Sequence, residues 1–416
     1  MKKRILALSL AAAMLVGAMA SCNAKEEVVS SQAVEARDIS LVLWGSEQDK
    51  DFLKEVSSAW AEKYAAEHED VKSVTVDVQI KGEDNSAEEA NNDITAAADV
   101  FGIASDKIQG LAEANAIYKI PEAVANDIKA IVGDNTTFSS TYWDGTCYGV
   151  PYTDNTAAIL YYDNTVYSAE DAKSLNTILE KGKLATEVGG GWHDMMWLAT
   201  AGTTFFQNDD KSDINITPDT AKMLAFVAAQ VKEGKIVDVP GADDAAALAT
   251  DGQVSAVIHG AWARDKFEKA FGEKYGVAEL PCVTIEGSGL NNAHMKCWGG
   301  SKLNVINANT KEPEAAMSLA LDIISLDNQI KRFEMAGKSP ASPSLLDKVS
   351  SDATVYANVA QSSLTLKASP LNNSGGYWGA IGGIMDEISA GKLTEEADIQ
   401  AKLDEAAKTM ADSVNQ

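Results

Sequence analysis

Apolar and polar positions alternate along the chain in a pattern that predicts strands and amphipathic helices in turn. The apolar run Ile39–Trp44 predicts a strand, and apolar residues four apart from Phe52 to Tyr64 predict a helix after it. Alternating valines within Ser73–Ile80 and the run Ala98–Ile103 predict two more strands. This succession favours a mainly parallel sheet covered by helices, an α/β fold.

The later part of the chain continues the pattern of strands separated by helices. Further strands are predicted at Val254–Ile258, Tyr275–Leu280 and Lys302–Ile306. Helices are predicted at Ser168–Lys183, Pro218–Glu233, Glu312–Ile324, Asp327–Met335, Tyr377–Ala390 and Glu395–Ser413.

The stretch Tyr148–Tyr162 contains two extended runs that meet at a polar elbow, residues 153–156. Pro151 restricts Val150 to an extended conformation, and Ala157–Tyr162 is an apolar and aromatic run typical of a strand. The stretch fits either a hinge strand that passes between two lobes, with its elbow on the floor of a cleft, or an ordinary buried strand with a turn.

Polar residues follow two of the predicted strands. Ser46 and Glu47 come just after Trp44, and residues 105–107 come just after the strand that ends at Ile103. Ligands of parallel sheets lie beyond the carboxyl ends of the strands. Both segments are therefore predicted to stand where a ligand binds.

Length and charge limit the classes of function. The chain has 416 residues, which is enough for two large domains with substantial cores. Its formal net charge of −26 repels the backbone of nucleic acids. A nucleic acid is therefore not an expected partner.

The N-terminal segment Met1–Ser21 has the features of a secretion signal. Basic residues precede the apolar run Ile5–Ala20, which is short for a membrane span. The sequence Met-Ala-Ser before Cys22 resembles a bacterial lipobox with Met in place of the usual Leu, which predicts lipidation of Cys22. Simple secretion is the alternative. Cys22–Asp38, poor in large apolar residues, is predicted to be a flexible tether.

Three cysteines follow Cys22, and none of them has the close spacing of a metal site. Cys282 and Cys297 flank a loop rich in glycine and asparagine and could form a disulfide outside the cell. Free, buried thiols are the alternative, and Cys147 is left over in either case.

Five tryptophans that stand within two residues of a glycine are the most informative side chains: Trp44, Trp192, Trp262, Trp298 and Trp378. An indole at such a position is typical of a platform in a cleft, although it can also belong to a core or to an interface between lobes. A pyranose offers an apolar face to an aromatic ring and hydroxyls to polar side chains at its edge. The set therefore favours a sugar-binding cleft.

The sequence gives little support for catalysis. His193 and Asp194 are neighbours and so do not face each other on a helix, and no Gly-x-Ser-x-Gly elbow occurs. The four histidines lack the spacing of metal ligands, and Gly189–Gly191 is not a dinucleotide turn. We expect no cofactor, no metal and no enzyme activity, although the 61 acidic residues leave a pair of glycosidase carboxylates possible.

Several segments between Ile39 and Gln416, taken in order, resemble the extracellular sugar-binding proteins of ABC importers, the maltose-binding-protein-like family. These segments are ISLVLWGSEQD, ADVFGIASDKIQGLAEANAIYKI, YGVPYTDNTAAILYYDNTV, GGGWHDMMWLATAG, AVIHGAWARDKFE, CWGGSKLNVINANTKEPEAA and SGGYWGAIGGI.

The resemblance implies a periplasmic-binding-protein-like α/β fold, in which two discontinuous lobes are joined by hinge strands. The first lobe would comprise residues 39–152 and 302–345. The second would comprise residues 153–300 and 346–416.

The resemblance also implies the roles of individual residues. Trp192, Trp262 and Trp378 would stack on sugar rings, with Trp44 and Trp298 as further aromatic contacts. The residues that would bind hydroxyl groups are Glu47, Asp106, Lys107, Asp154 and Asn155. Two positions depart from the family pattern, because Asn155 and Gly190 stand where carboxylates are common.

The implied function is capture of an oligosaccharide, with a malto-oligosaccharide favoured, and its delivery to an ABC permease. The protein would be a monomer held at the extracellular face of a bacterial membrane by its lipid anchor. Alternatives are another oligosaccharide, a polyamine or a peptide as the ligand, or a glycoside-acting enzyme.

Overall fold

The computed structural model describes residues 36–153, 157–362, 364–371 and 376–414. The predicted signal segment, the predicted lipidation site at Cys22 and most of the predicted tether lie outside the described residues. The two elbow residues with a predicted role in binding, Asp154 and Asn155, also lie outside them.

Within the described residues, ten strands form two five-stranded sheets. In chain order they are β1 (Arg37–Gly45), β2 (Val71–Ile80), β3 (Val100–Ala104), β4 (Gly149–Thr153), β5 (Ala158–Asp163), β6 (Leu184–Thr186), β7 (Ile236–Asp238), β8 (Ala256–Gly260), β9 (Tyr275–Ala278) and β10 (Lys302–Ile306). Short strands pair separately at Tyr142–Trp143 with Thr146–Cys147, Thr204–Phe205 with Ile214–Asn215, Cys282–Val283 with Ala293–His294, and Trp298–Gly299 with Leu366–Lys367.

Helices surround both sheets. They are α1 (Lys50–Glu67), α2 (Glu83–Asn92), α3 (Ile108–Glu113), α4 (Glu122–Val132), α5 (Thr136–Ser139), α6 (Leu175–Lys181), α7 (Met195–Thr200), α8 (Pro218–Lys232), α9 (Ala242–Thr250), α10 (Arg264–Phe271), α11 (Pro313–Ile323), α12 (Leu326–Ala336), α13 (Leu346–Val349), α14 (Ala353–Ser362), α15 (Tyr377–Ser389) and α16 (Glu396–Ser413). In the described part of the chain, no helix combines the length and the apolar character needed to cross a membrane.

The two sheets have related topologies. The first has the order β2-β1-β3-β10-β4, and the second has the order β7-β6-β8-β5-β9. In the first, β10 runs antiparallel to β3 and β4, while β1 is parallel to β2 and β3. In the second, β5 runs antiparallel to β8 and β9, while β6 is parallel to β7 and β8. The strand that runs antiparallel to its neighbours, β10 in the first sheet and β5 in the second, is thus the first strand that the chain forms after it crosses from the other sheet.

Each sheet therefore belongs to a lobe built from separate parts of the chain, and the predicted two-lobed α/β fold is confirmed. The stretch Tyr148–Tyr162 passes from the first sheet to the second, since it contains β4 and all but the last residue of β5. The chain returns from β9 to β10, and crosses again after α12, which packs on α1, to α14, which packs on β5 and β9. The residue bounds given above for the lobes stay a prediction.

The hydrophobic pattern explains how α1 and β2 pack. Phe52, Val56, Trp60 and Tyr64 of α1 are all buried, because residues four apart share one helix face. Val74, Val76 and Val78 of β2 are half-buried and alternate with exposed residues, as on a strand with one covered face.

One predicted helix is interrupted in the structure, and the state of the cysteines bears on two alternatives that the sequence left open. The helix predicted at Ser168–Lys183 is interrupted, since a single 3-10 turn precedes Ser174, whose hydroxyl caps α6 by accepting the N–H of Thr177. The three described cysteines are free, which favours the alternative of unpaired thiols. The thiol of Cys297 lies 3.3 Å from the hydroxyl of Thr365.

A buried ion pair joins the parts of the first lobe next to the hinge. Arg332 of α12 donates from Nε and Nη2 to the two carboxylate oxygens of Asp49 at 2.8 and 2.7 Å. Its Nη1 donates to the carbonyl of Tyr152 in β4 at 2.7 Å. Burial alone would raise the pKa of Asp49, but the guanidinium outweighs it and holds the pKa below its usual value. Arg332 therefore fixes β4, the strand from which the chain crosses to the second lobe.

We expect Arg332→Met to lower the free energy of unfolding by about 3–5 kcal/mol, because it leaves the buried charge of Asp49 without a partner. Urea denaturation measures the loss. The control is Lys331→Met, which removes an exposed pair with Glu55 and should cost no more than about 1 kcal/mol. Equal losses in the two variants would contradict a structural role for the buried pair.

Candidate functional site

A cavity of about 460 Å³ lies between the two lobes. It is lined by Glu83, Ala104, Ser105, Asp106, Lys107, Glu187, Gly190, Trp192, His193, Trp262, Gly300, Ser301, Lys302, Ala368 and Trp378. Three strands deliver lining residues at their carboxyl ends, since residue 104 ends β3, residue 187 follows β6 and residue 262 follows β8. This is the edge at which sheets with parallel strands bind ligands.

The wall formed by the first lobe carries charges of both signs. A one-turn 3-10 helix after β3 presents Asp106 and Lys107, whose charged groups lie 3.6 Å apart. Glu83 lies 3.0 Å from Lys302 and accepts a hydrogen bond of 2.8 Å from the hydroxyl of Tyr152. Burial opposes ionisation of Glu83, yet Lys302 outweighs it and lowers the pKa of Glu83. All four residues of these carboxylate–ammonium pairs line the cavity.

The wall formed by the second lobe is aromatic. Trp192, Trp262 and Trp378 are each half-buried and line the cavity. The rings of Trp192 and Trp262 are 5.1 Å apart and inclined at 64°. They therefore form a corner with two apolar faces, and a flat apolar surface of a ligand can rest against either face.

A glycine-rich turn holds Trp192 in place. The carboxylate of Asp194 accepts the backbone N–H groups of Gly189 at 3.0 Å and Gly191 at 2.9 Å. Gly191 has a φ of 74°, and a Cβ there would lie 3.0 Å from the carbonyl oxygen of Trp378. Burial raises the pKa of Asp194 to about 7, against the effect of the two N–H donors. The close approach of the turn to Trp378 brings the two indoles into one wall.

Glu187 connects two histidines beside these indoles. Its Oε2 lies 3.1 Å from Nδ1 of His193, and its Oε1 lies 3.2 Å from Nε2 of His259. Burial opposes ionisation of Glu187, but the contacts with the histidines outweigh it and lower its pKa to about 2. Burial also lowers the pKa of His193. The cluster thus consists of an ionised carboxylate held by imidazole N–H groups.

Within the described residues, Glu187, His193 and His259 also bring one ligand atom each within 4.8 Å of the others, a spacing that a metal ion could bridge. A metal-bound imidazole normally donates its second N–H to an acceptor. Nδ1 of His259 instead accepts the backbone N–H of Gly260 at 2.8 Å, so its proton is on Nε2 and points to Glu187. The arrangement therefore fits a hydrogen-bonded carboxylate better than a metal centre.

The structure brings five of the predicted site residues to this cavity: Asp106, Lys107, Trp192, Trp262 and Trp378. Glu47 differs from the expectation, because its side chain is 69 % exposed and lies near Lys50 on the surface.

Trp44 and Trp298 lie in the core instead of at the cavity. Trp44 packs against Phe101, and its Nε1 donates to Gln79 at 3.0 Å. Trp298 is fully buried and packs behind Trp378, with ring centres 5.7 Å apart. The expectation that both contact ligand directly is corrected, because a neighbouring glycine does not determine the direction in which a side chain points.

Sequence reasoning missed Glu83, Glu187, His193 and Lys302 as lining residues. Glu187 follows β6, a strand of three residues that is too short to show a hydrophobic period. A signal existed for His259, which stands at the carboxyl end of the predicted strand Val254–Ile258. Nothing in the sequence indicated that it would meet Glu187.

Comparisons with known proteins agree with this geometry. Residues 59–360 match the family described as bacterial extracellular solute-binding protein. The chain is 24 % identical over 414 residues to the galactooligosaccharide-binding protein of Bacillus subtilis (strain 168), covering 94 % of this chain and 93 % of that protein.

Solved structures share the fold. The maltodextrin-binding protein of L. casei BL23 without ligand is 21 % identical, with a TM-score of 0.79 over 89 % of this chain and 98 % of that chain. A structure solved with acarbose is 28 % identical, with a TM-score of 0.79 over 90 % of this chain and 99 % of that chain.

We expect Gly191→Ala to shift the tryptophan fluorescence, because the new methyl group would press the turn against Trp378. It should also lower the free energy of unfolding by about 1–2 kcal/mol, the cost of a side chain at positive φ. The control is Gly234→Ala, which has a similar φ of 68° but open space around its Cβ. Unchanged emission from Gly191→Ala would contradict the contact.

Proposed function

The chain belongs to the family of bacterial extracellular solute-binding proteins, and we propose that its solute is an oligosaccharide, with a malto-oligosaccharide favoured. One observation carries this proposal: three indoles and charged groups from both lobes line the same cavity. The volume of about 460 Å³ lies in the range of about 300–1,000 Å³ that is usual for sites of small molecules.

The corner formed by Trp192 and Trp262 suits the shape of a sugar. A pyranose packs its C–H face on one indole while its edge meets the other ring. Trp378 offers a third apolar surface in the same cavity. Several indoles in one wall favour a chain of sugar units over a single sugar.

The polar groups suit a ligand that is uncharged and rich in hydroxyls. Asp106, Glu83 and Glu187 accept hydrogen bonds, and Lys107 and Lys302 donate them. A hydroxyl does both, so a sugar can satisfy each group. A polyamine would find acceptors here, but it would also meet the two ammonium groups, which disfavour a polycation.

The relative and the similar structure described above support an oligosaccharide as the ligand, and they leave its glycosidic linkage open. One relative is a galactooligosaccharide-binding protein, and the structure that is 28 % identical was solved with acarbose. The favoured malto-oligosaccharide is therefore the finer part of the proposal.

The proposed mechanism of capture is closure of the lobes. A ligand that contacts both walls stabilises the closed state more than the open one, because only the closed state makes both sets of contacts. Residues 39–152 with 302–345 and residues 153–300 with 346–416 would move as the two bodies. In this proposal the chain is a monomer anchored through lipidated Cys22, binds without hydrolysing its ligand and delivers it to an ABC permease.

Calorimetric titration of the protein with maltotriose, a β-linked galactotriose and spermidine tests the class of ligand. Binding of a trisaccharide, with no cleavage product after incubation, is the expected result. Binding of spermidine alone would contradict the proposal, and cleavage of the sugar would favour the alternative of a glycoside-acting enzyme.

We expect Trp262→Ala to weaken binding of the trisaccharide by about 2 kcal/mol or more, as for a central aromatic anchor. The matched control is Tyr356→Ala, which removes an aromatic side chain that is 65 % exposed and does not line the cavity. Wild-type affinity in Trp262→Ala would show that this indole is not a platform.

A further inference from the structure

The carboxylate of Glu187 has one histidine on each of its oxygens. Both imidazoles are buried, with 6 % and 5 % of their side chains exposed, whereas 20 % of the Glu187 side chain is exposed. A carboxylate oxygen accepts about two hydrogen bonds. Each oxygen of Glu187 therefore keeps one acceptor site, and the residue lines the cavity.

The two histidines come from the same segments as the two indoles of the corner. His193 follows Trp192, with ring centres 4.9 Å apart, and His259 lies 5.8 Å from the ring of Trp262. Glu187 contacts both histidines, so it stands beside the corner. Glu187, Trp192 and Trp262 line the same cavity, so a pyranose that rests on either indole can present edge hydroxyls to the carboxylate.

Gly190 provides the space for this carboxylate. A Cβ at residue 190 would lie 2.8 Å from Oε2 of Glu187, a distance that is too short for two non-bonded atoms. A larger residue at this position would therefore displace Glu187. The position of Glu187 in the second-lobe wall therefore depends on the missing side chain at Gly190.

The histidines determine which role Glu187 can have. Nδ1 of His259 accepts the N–H of Gly260, so its Nε2 carries the proton that is donated to Glu187. His193 presents Nδ1 to the other oxygen, and its Nε2 has no hydrogen-bond partner among the described residues. Among the described residues, the hydrogen-bonding sites of this cluster that have no partner are therefore all acceptors. A ligand that binds here must supply the donors.

We propose that Glu187 is a specificity-determining residue that accepts hydrogen bonds from two adjacent hydroxyls of one sugar ring. Each of its oxygens takes one hydroxyl, so a ring with a free vicinal diol is selected. His193 and His259 are positioning residues, which hold the carboxylate ionised and oriented. This inference rests on the proposed function, because it takes the ligand to be a carbohydrate.

Glu187→Gln tests the role of the carboxylate. It preserves the shape but replaces an acceptor by an N–H₂ group, which faces an imidazole N–H. Titration with maltotriose, or with the β-linked galactotriose if that sugar binds the wild type more tightly, should give a Kd at least about tenfold higher. The matched control is Glu279→Gln, since Glu279 lies 3.6 Å from His294 in an exposed pair that does not line the cavity. Its Kd should change less than about twofold.

A double-mutant cycle tests whether His259 acts through Glu187. His259→Leu removes the donor and should weaken binding, whereas His259→Gln restores an N–H and should recover part of the affinity. In the Glu187→Gln background, His259→Leu should cause little further loss. Equal losses in both backgrounds would show that His259 acts independently of Glu187.

The outcomes separate this inference from the proposed function. If neither trisaccharide binds the wild type, the proposed function fails and the inference fails with it. If the wild type binds a trisaccharide and Glu187→Gln binds it equally well while melting at the same temperature, only the role of Glu187 is overturned.

Discussion

The carboxyl ends of β3, β6 and β8 meet at one cavity, and the arrangement of the site depends on this constraint. Each sheet receives one reversed strand where the chain enters from the other lobe, and the other four strands of each sheet run in one direction. Parallel strands place loops and helix starts at a single edge of the sheet. Residues far apart in the sequence, such as Asp106, Glu187 and Trp262, therefore line the same cavity.

The two walls contribute different chemistry. The first lobe supplies two carboxylate–ammonium pairs, in which each carboxylate lies within 4 Å of a lysine ammonium. The second supplies indoles that are supported from behind, since Trp298 packs on Trp378 and the Asp194 carboxylate fixes the turn that carries Trp192. Rigid support of this kind reduces the ordering cost when a ligand binds. A cleft with an apolar wall and a polar wall suits a molecule that itself has an apolar face and a polar edge.

The sequence predicts this fold where its hydrophobic periods are long. The helix α1 and the strand β2 follow from spacings of four and two, and the two extended runs of Tyr148–Tyr162 follow from Pro151 and the apolar run after the elbow. Short strands such as β6 and β7 have three residues each and show no period. Residues that these strands position, above all Glu187, could not be placed from the sequence.

Only part of the binding site could be predicted from the sequence, because the sequence does not show where each side chain points. Nearby glycines correctly indicated that Trp192, Trp262 and Trp378 stand at the ends of elements, but the same signal did not predict that Trp298 lies in the core. The direction of a side chain depends on which face of a strand is covered, and that is a property of the tertiary structure. The pairing of His193 and His259 through Glu187 likewise arises only when separate elements pack together.

A crystal structure of the complex with the trisaccharide that binds most tightly would show whether both lobes hold the sugar. We expect sugar rings within about 4 Å of Trp192 and Trp262, with hydrogen bonds from the same ligand to the first-lobe residues Asp106 or Lys107. A sugar bound outside this cavity, or one that contacts a single lobe in every copy, would contradict this expectation.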